Sequence, residues 1–311
     1  MKIGTGHRWR SLVAVALLTA GAASPLRAED SSSLPADLAQ WRQSRVAALT
    51  SDTGFLSLVG LYWPEPGRNS FGRSDRSTFV LDHPAMPAHA GDFVLTGSRL
   101  KFIAARRSGV LHDGQPVAQV TLAADTSGRP TILSVGTLQF FAIERDGKLG
   151  IRVRDTYSPR RRDFPGIDYF DADASWRIEA RFEPYVPARR IRIVNVLGME
   201  LDMPSPGAIL FDRDGQTWRL DMIEEDTAAP TLFVMFADGT TGRETYGAGR
   251  FLDVPRPVDG RVTVDFNRAY NPPCAFNTLA TCPLPPPQNK LELRIPAGEK
   301  TFPPAGSSAA H

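Results

Sequence analysis

Asp-Gly dipeptides at 113–114, 146–147, 214–215 and 238–239 stand between short apolar runs. Both residues tolerate positive φ, so the pair favours a two-residue hairpin whose twist matches the flanking strands. Apolar runs at 55–63, 78–81, 92–95, 100–104, 117–122, 132–135 and 138–143 fill the first half of the chain. Further runs at 149–153, 191–196, 208–211, 217–223, 232–236, 261–266 and 291–295 fill the second. The 26 glycines and 26 prolines among 311 residues add turns and leave room for few long helices. The pattern predicts an all-β fold, an antiparallel barrel or sandwich of about 12 or more short strands. Sustained strand–helix alternation is missing, which argues against a doubly wound parallel sheet. One helix is predicted near the start, where Leu38, Trp41, Arg42, Arg45, Val46 and Leu49 recur at three- and four-residue spacing. Ser33 and Asp37 offer capping oxygens for it.

The first 28 residues have the order of an export signal. Lys2, Arg8 and Arg10 precede an apolar run at 12–23, too short to span a bilayer, and Ala28 is a small residue suited to cleavage. Cleavage there removes four basic residues and no acids, leaving 32 basic against 34 acidic. The weak positive charge of the full chain thus belongs to the leader, and no basic face for nucleic acid is implied. No later apolar stretch is long enough to act as a membrane anchor. The expected division is signal peptide 1–28, linker 29–33, one β-rich domain 34–300 and a disordered tail 301–311. The expected location is periplasmic or secreted.

Cys274 and Cys282 are the only cysteines. In an oxidising compartment a disulfide is their simplest fate, free thiols being the alternative. Zinc sites use closer cysteine pairs and need two further ligands, so metal is not expected. The run Asp171-Ala-Asp173-Ala-Ser-Trp176 begins like a calcium loop but has tryptophan where the sharp turn requires glycine. Nucleophile elbow, phosphate loop and dinucleotide fingerprint are all missing, so no cofactor is implied.

Three stretches carry a family resemblance. They are 54–63 with Asn69-Ser-Phe-Gly72; Gly150-Ile-Arg-Val-Arg-Asp155 running to Arg162-Asp-Phe-Pro-Gly166; and a long stretch from Asp238 through Gly242-Arg-Glu-Thr-Tyr246 and 265–276 to Cys282-Pro-Leu-Pro-Pro-Pro-Gln-Asn289. Together they resemble the bacterial and archaeal domain-of-unknown-function family 1684, over roughly 41–300. The resemblance implies a single domain with a shared site and transfers no activity.

The long third stretch concentrates polar groups. Glu244, Tyr246, Arg250, Asp265, Asn267, Tyr270 and Asn271 fall within thirty residues among glycines. One reading is a pocket for a small polar or anionic molecule, with Arg152 and Arg250 holding the anion and Asp155, Glu244, Tyr246, Asp265, Asn267 and Tyr270 around it. A buried Glu244 would need a cation, and Arg250 is the candidate. A second reading makes the same pocket a hydrolase site with Glu244 or Asp265 as general base. A third is a non-catalytic envelope protein using a sheet edge or the proline-rich loop for contact. Against all three stands a hydrogen-bond network that pins the C-terminal loop to the sheet, which Asn271-Pro-Pro favours. Ligand identity and oligomeric state are not encoded in any of these patterns.

Overall fold

The computed structural model describes residues 35–302. The expected leader, the linker and residues 303–311 lie outside that range. Thr301 and Phe302 lie inside it. The Phe302 ring packs on Phe164 and Phe276 at 5.5 and 5.0 Å, so the ordered body extends two residues past the expected boundary.

The predicted helix runs Ala36–Thr50 and buries Leu38 and Leu49. Its N-cap is Pro35, and no side chain caps it. Asp37 instead reaches Arg268 at 2.5 Å, an ion pair that ties the helix to the C-terminal part. The run expected as a strand at 55–63 divides into a 3-10 turn at Phe55–Ser57 and a strand at Leu58–Tyr62.

Strands form the rest, in open sheets, so the architecture is a sandwich and not a barrel. A six-stranded sheet is centred on Lys148–Asp155, which pairs antiparallel with Leu138–Arg145 on one side and Leu58–Tyr62 on the other. A five-stranded sheet carries Gly67–Gly72, Gly91–Thr96 and Arg99–Ala104. Phe71, Phe93 and Phe102 from this second sheet meet Phe140 from the first, all fully buried. The Phe140 ring lies 5.4 Å from Phe71, 6.0 Å from Phe93 and 5.4 Å from Phe102. Each such aromatic pair adds about 0.5–1.5 kcal/mol beyond burial.

The second half is dominated by a long hairpin, Arg177–Val194 with Glu200–Arg213, in a four-stranded sheet. The runs at 191–196 and 208–211 are fragments of these two strands. Thr231–Phe236 pairs with Arg250–Pro255, and a core of Trp176, Ile209, Leu220, Val234, Leu252, Val264 and Phe266 fills the space between. Residues 291–295 were expected as a strand and form irregular chain, because their backbone serves side chains from neighbouring loops, as described below.

Three of these four Asp-Gly pairs make the predicted turns, as does a fifth pair at 259–260 with φ of 50° and 71°. Asp113, Asp146 and Asp214 have φ of 49°, 48° and 53°, followed by glycines at 74°, 68° and 74°. The fourth does not. Asp238 is buried and accepts hydrogen bonds from Thr240, Ile295 and Arg250, so its carboxylate is spent on the core.

Candidate functional site

Strand alternation decides where Arg152 points. Ile151 and Val153 are fully buried in the sandwich core, so Arg152 and Arg154 leave by the opposite face. Arg154 stays partly exposed, with Nε donating to Gln139 Oε1 at 2.7 Å. Arg152 is covered, with 7% of its surface exposed. Its Nε and Nη2 are buried with no hydrogen-bond partner among the described residues. Burial first, and the neighbouring Arg145 guanidinium second, lower its pKa to about 10. It therefore stays cationic at neutral pH.

This guanidinium lines a cavity of about 470 Å³. Thr281, Cys282 and Pro283 form one wall, and Phe55, Phe233 and Phe251 give apolar surface. Arg45, Arg145, Glu225 and Tyr270 complete the polar lining. Two of the three arginines are already compensated. Arg45 Nε meets Glu299 at 2.9 Å and its Nη2 donates to the Asn271 carbonyl at 2.7 Å. Arg145 Nη2 meets Asp125 at 2.8 Å, and Nη1 donates to the Glu144 carbonyl at 2.6 Å. Arg152 has no such partner. Glu225 likewise makes no ion pair or hydrogen bond to the described residues, and burial, followed by the Asp253 charge, pushes its carboxyl upward.

The cavity also meets one thiol, Cys282. Cys274 and Cys282 are both buried and unbonded, so the expected disulfide is not formed in this structure. They are neighbours nonetheless, with the Cys274 amide donating to Cys282 Sγ at 3.0 Å. The hydrogen bond between the thiols pulls Cys274 down and pushes Cys282 up, and the Tyr246 hydroxyl supports Cys274 further.

Of the residues expected in one pocket, Arg152 and Tyr270 share this cavity and the others lie elsewhere. Tyr270 donates to Asp253 at 3.2 Å. Glu244 was expected to be buried against Arg250. It is exposed instead and held bidentately by Arg294 at 2.7 and 3.0 Å, a hydrogen-bonded pair that keeps its carboxyl below the usual range. A turn at the surface costs less than burying the charge, and Arg294 follows Glu292 on the loop that reaches it. Arg250 is fully buried and donates to Asp238, Ile295 and Ala297. Asp155 fixes its own turn by accepting from the Tyr157 amide at 3.0 Å. Asp265 and Asn267 form another local turn, in which Asn267 also holds the Asp173 backbone. Asp265 lines a smaller depression of about 300 Å³ with Trp41, Arg177 and Arg268. Tyr246 packs beside the thiols in the two C-terminal clusters. Asn271 bonds to Glu299 and Lys300. The dense polar stretch is therefore mostly the pinning network, and it anchors residues 291–301.

Arg45, Arg145, Glu225 and Cys282 were not foreseen as cavity residues. Arg45 left one trace, a cation in the apolar spacing of the helix. Arg145 and Glu225 left none, since both read as ordinary residues beside turns.

The site and sheets thus define an all-β protein whose cavity presents an uncompensated cation. Residues 162–300 match the family model described as protein of unknown function (DUF1684). The chain belongs to that family. The matched stretch is narrower than the expected 41–300, and Arg152 precedes it, so the cavity is built from both the matched region and the strands before it. An uncharacterised protein of Haloarcula marismortui, known from a solution NMR structure, is 34% identical over 46% of this chain and 80% of its own, with a TM-score of 0.39. A structure from work on phosphothreonine-dependent FHA domain interactions is 18% identical over 30% of this chain and 81% of its own, with a TM-score of 0.22. At those TM-scores neither carries an argument about fold or function. No curated protein matches the chain.

Proposed function

We propose that this domain binds a small anionic molecule in the cavity beside Arg152, and that it works after export from the cytoplasm. One observation carries the binding reading: a buried, cationic guanidinium faces a cavity with two of its nitrogens unpartnered. Leaving a buried charged donor unsatisfied costs several kcal/mol in general, and a carboxylate or phosphoryl oxygen relieves that cost. The hydrolase reading needed Glu244 or Asp265 as a buried base. Glu244 is exposed and ion-paired, and Asp265 caps a turn, so binding is the reading carried forward.

A thermal-shift screen of small carboxylates and phosphate esters tests it. Binding at a hundred times Kd stabilises by about 2.7 kcal/mol, so a hit raises Tm by several degrees. Arg152→Met abolishes that shift while keeping the circular dichroism of the wild type. Equal shifts in the two proteins would remove the reading.

Export is supported by the basic, apolar, small order of residues 1–28. Among the described residues no helix is long and apolar enough to cross a membrane. Osmotic-shock fractions should contain protein starting near residue 29. In that compartment the adjacent thiols of Cys274 and Cys282 are placed to bridge, which thiol titration of the exported protein reads directly.

A further inference from the structure

The cavity carries two charges that no described residue answers, and they have opposite signs. Arg152 is a buried cation with two unpartnered nitrogens, and Glu225, an exposed residue of the same lining, makes no ion pair or hydrogen bond to the described residues. The pairs Arg45–Glu299 and Arg145–Asp125 are internally neutral, so the wall as a whole presents one free positive and one free negative group. These two do not pair with each other, although both line the same space. The lining also carries apolar surface. Phe233 and Phe251 meet edge to face at 4.8 Å, and Phe55 adds a partly exposed ring.

We infer that the ligand is an amino acid in the broad chemical sense, with a carboxylate on Arg152, an ammonium group on Glu225 and an apolar body against Phe233 and Phe251. This deepens the anion-binding reading and rests on it. A guanidinium takes a carboxylate through two parallel N–H···O bonds, and an ammonium group fills the acceptor positions of a free carboxylate. A dicarboxylate or a polyphosphate would satisfy Arg152 but would set a second anion against Glu225, and like charges across an interface are selected against. Phenyl or alkyl surface suits the aromatic wall, because burying it recovers about 25 cal/mol per Å².

A matched series of three ligands tests the assignment by calorimetry on the full folded chain. The probes are 3-phenylpropionate, 3-(4-aminomethylphenyl)propionate and 3-(4-carboxyphenyl)propionate. They share one carboxylate and one ring and differ only in the far group. The aminomethyl compound should bind about tenfold more tightly than 3-phenylpropionate, a gap of about 1.4 kcal/mol, and the dicarboxylate more weakly than either. Glu225→Gln, a surface-side change that leaves the core untouched, should erase the tenfold advantage of the aminomethyl compound over 3-phenylpropionate. Arg152→Met should abolish binding of all three, and Arg152→Gln serves the same purpose if the methionine variant does not fold. If binding depends on Arg152 but the dicarboxylate is tightest, or Glu225→Gln changes nothing, the amino-acid assignment fails and the anion reading stands. If none of the three binds in an Arg152-dependent way, both fail.

Discussion

Arg250 and Arg152 both sit on strands, both are covered, and they are treated in opposite ways. Arg250 is fully buried in the C-terminal part, where its guanidinium meets Asp238 at 3.2 Å and the carbonyls of Ile295 and Ala297. Only its Nε lacks a partner. Arg152, on the N-terminal sandwich, has no acceptor within reach among the described residues, and it faces a cavity. The Arg250 region uses charge as a cross-link: one side chain holds the irregular chain at Ile295 and Ala297, beside that chain's scattered backbone hydrogen bonds. The Arg152 region keeps charge in reserve. The difference teaches that burial alone does not identify a functional arginine. The count of acceptors around it does, because a satisfied guanidinium has nothing left to offer a ligand.

Substituting the two arginines in parallel breaks or sharpens that contrast. Arg250→Met leaves Asp238 buried and uncompensated, and it should cost about 3–5 kcal/mol in urea unfolding. Arg152→Met removes a charge that nothing answers, so its stability should stay within about 1 kcal/mol of the wild type or rise. Equal large losses in both would mean that Arg152 is a cross-link after all.

Between these extremes lies Glu299. It is fully buried, and burial raises its carboxyl above the ordinary 4.5, although Arg45 and the Asn271 amide pull the other way. The folded state therefore holds the proton to higher pH than the unfolded chain does. The contribution of Glu299 to stability is fully present below about 4.5, where both states are protonated, and is lost as pH climbs from there through the raised folded value. Glu299→Gln should flatten this slope. The effect sharpens the comparison, since Glu299 is the partner that neutralises Arg45 in the Arg152 cavity. A variant with the wild-type slope would mean that Glu299 is charged at no net cost.

The smallest expected change is at a turn remote from both arginines. Gly114 has φ of 74° with open space around its Cβ direction. Gly114→Ala should cost about 1 kcal/mol through backbone strain alone and leave ligand binding intact. It controls for non-specific loss in the binding experiments.

Much of the fold was legible because its signals are local. Alternation along 138–153 and the Asp-Gly pairs at 113, 146 and 214 depend on residues adjacent in the chain. The failures have a common cause. Asp238-Gly239 reads like the other turns, yet its carboxylate is claimed by Arg250 and by the Ile295 amide, more than fifty residues away. That claim also removes 291–295 from strand pairing. Glu244 and Arg250 are six residues apart and were read as partners, but the turn between them sends one outward to Arg294 and the other inward. Of the candidate site, Arg152 and Tyr270 were legible as polar residues in unusual settings; Arg45, Arg145 and Glu225 were not, since their meeting depends on how distant segments pack.

The amino-acid order by itself determined most of the strands, the Asp-Gly hairpin turns at 113, 146 and 214, the first helix and the face of the strand from which Arg152 leaves. A period-two backbone sets side-chain direction within a few residues, with no help from the rest of the chain. The tertiary structure alone decided that residues 281–283 close over that face, turning a surface arginine into the buried wall of a cavity. Covering requires two segments about 130 residues apart to meet, and such long-range pairing is fixed by the packing of whole sheets, not by any local preference.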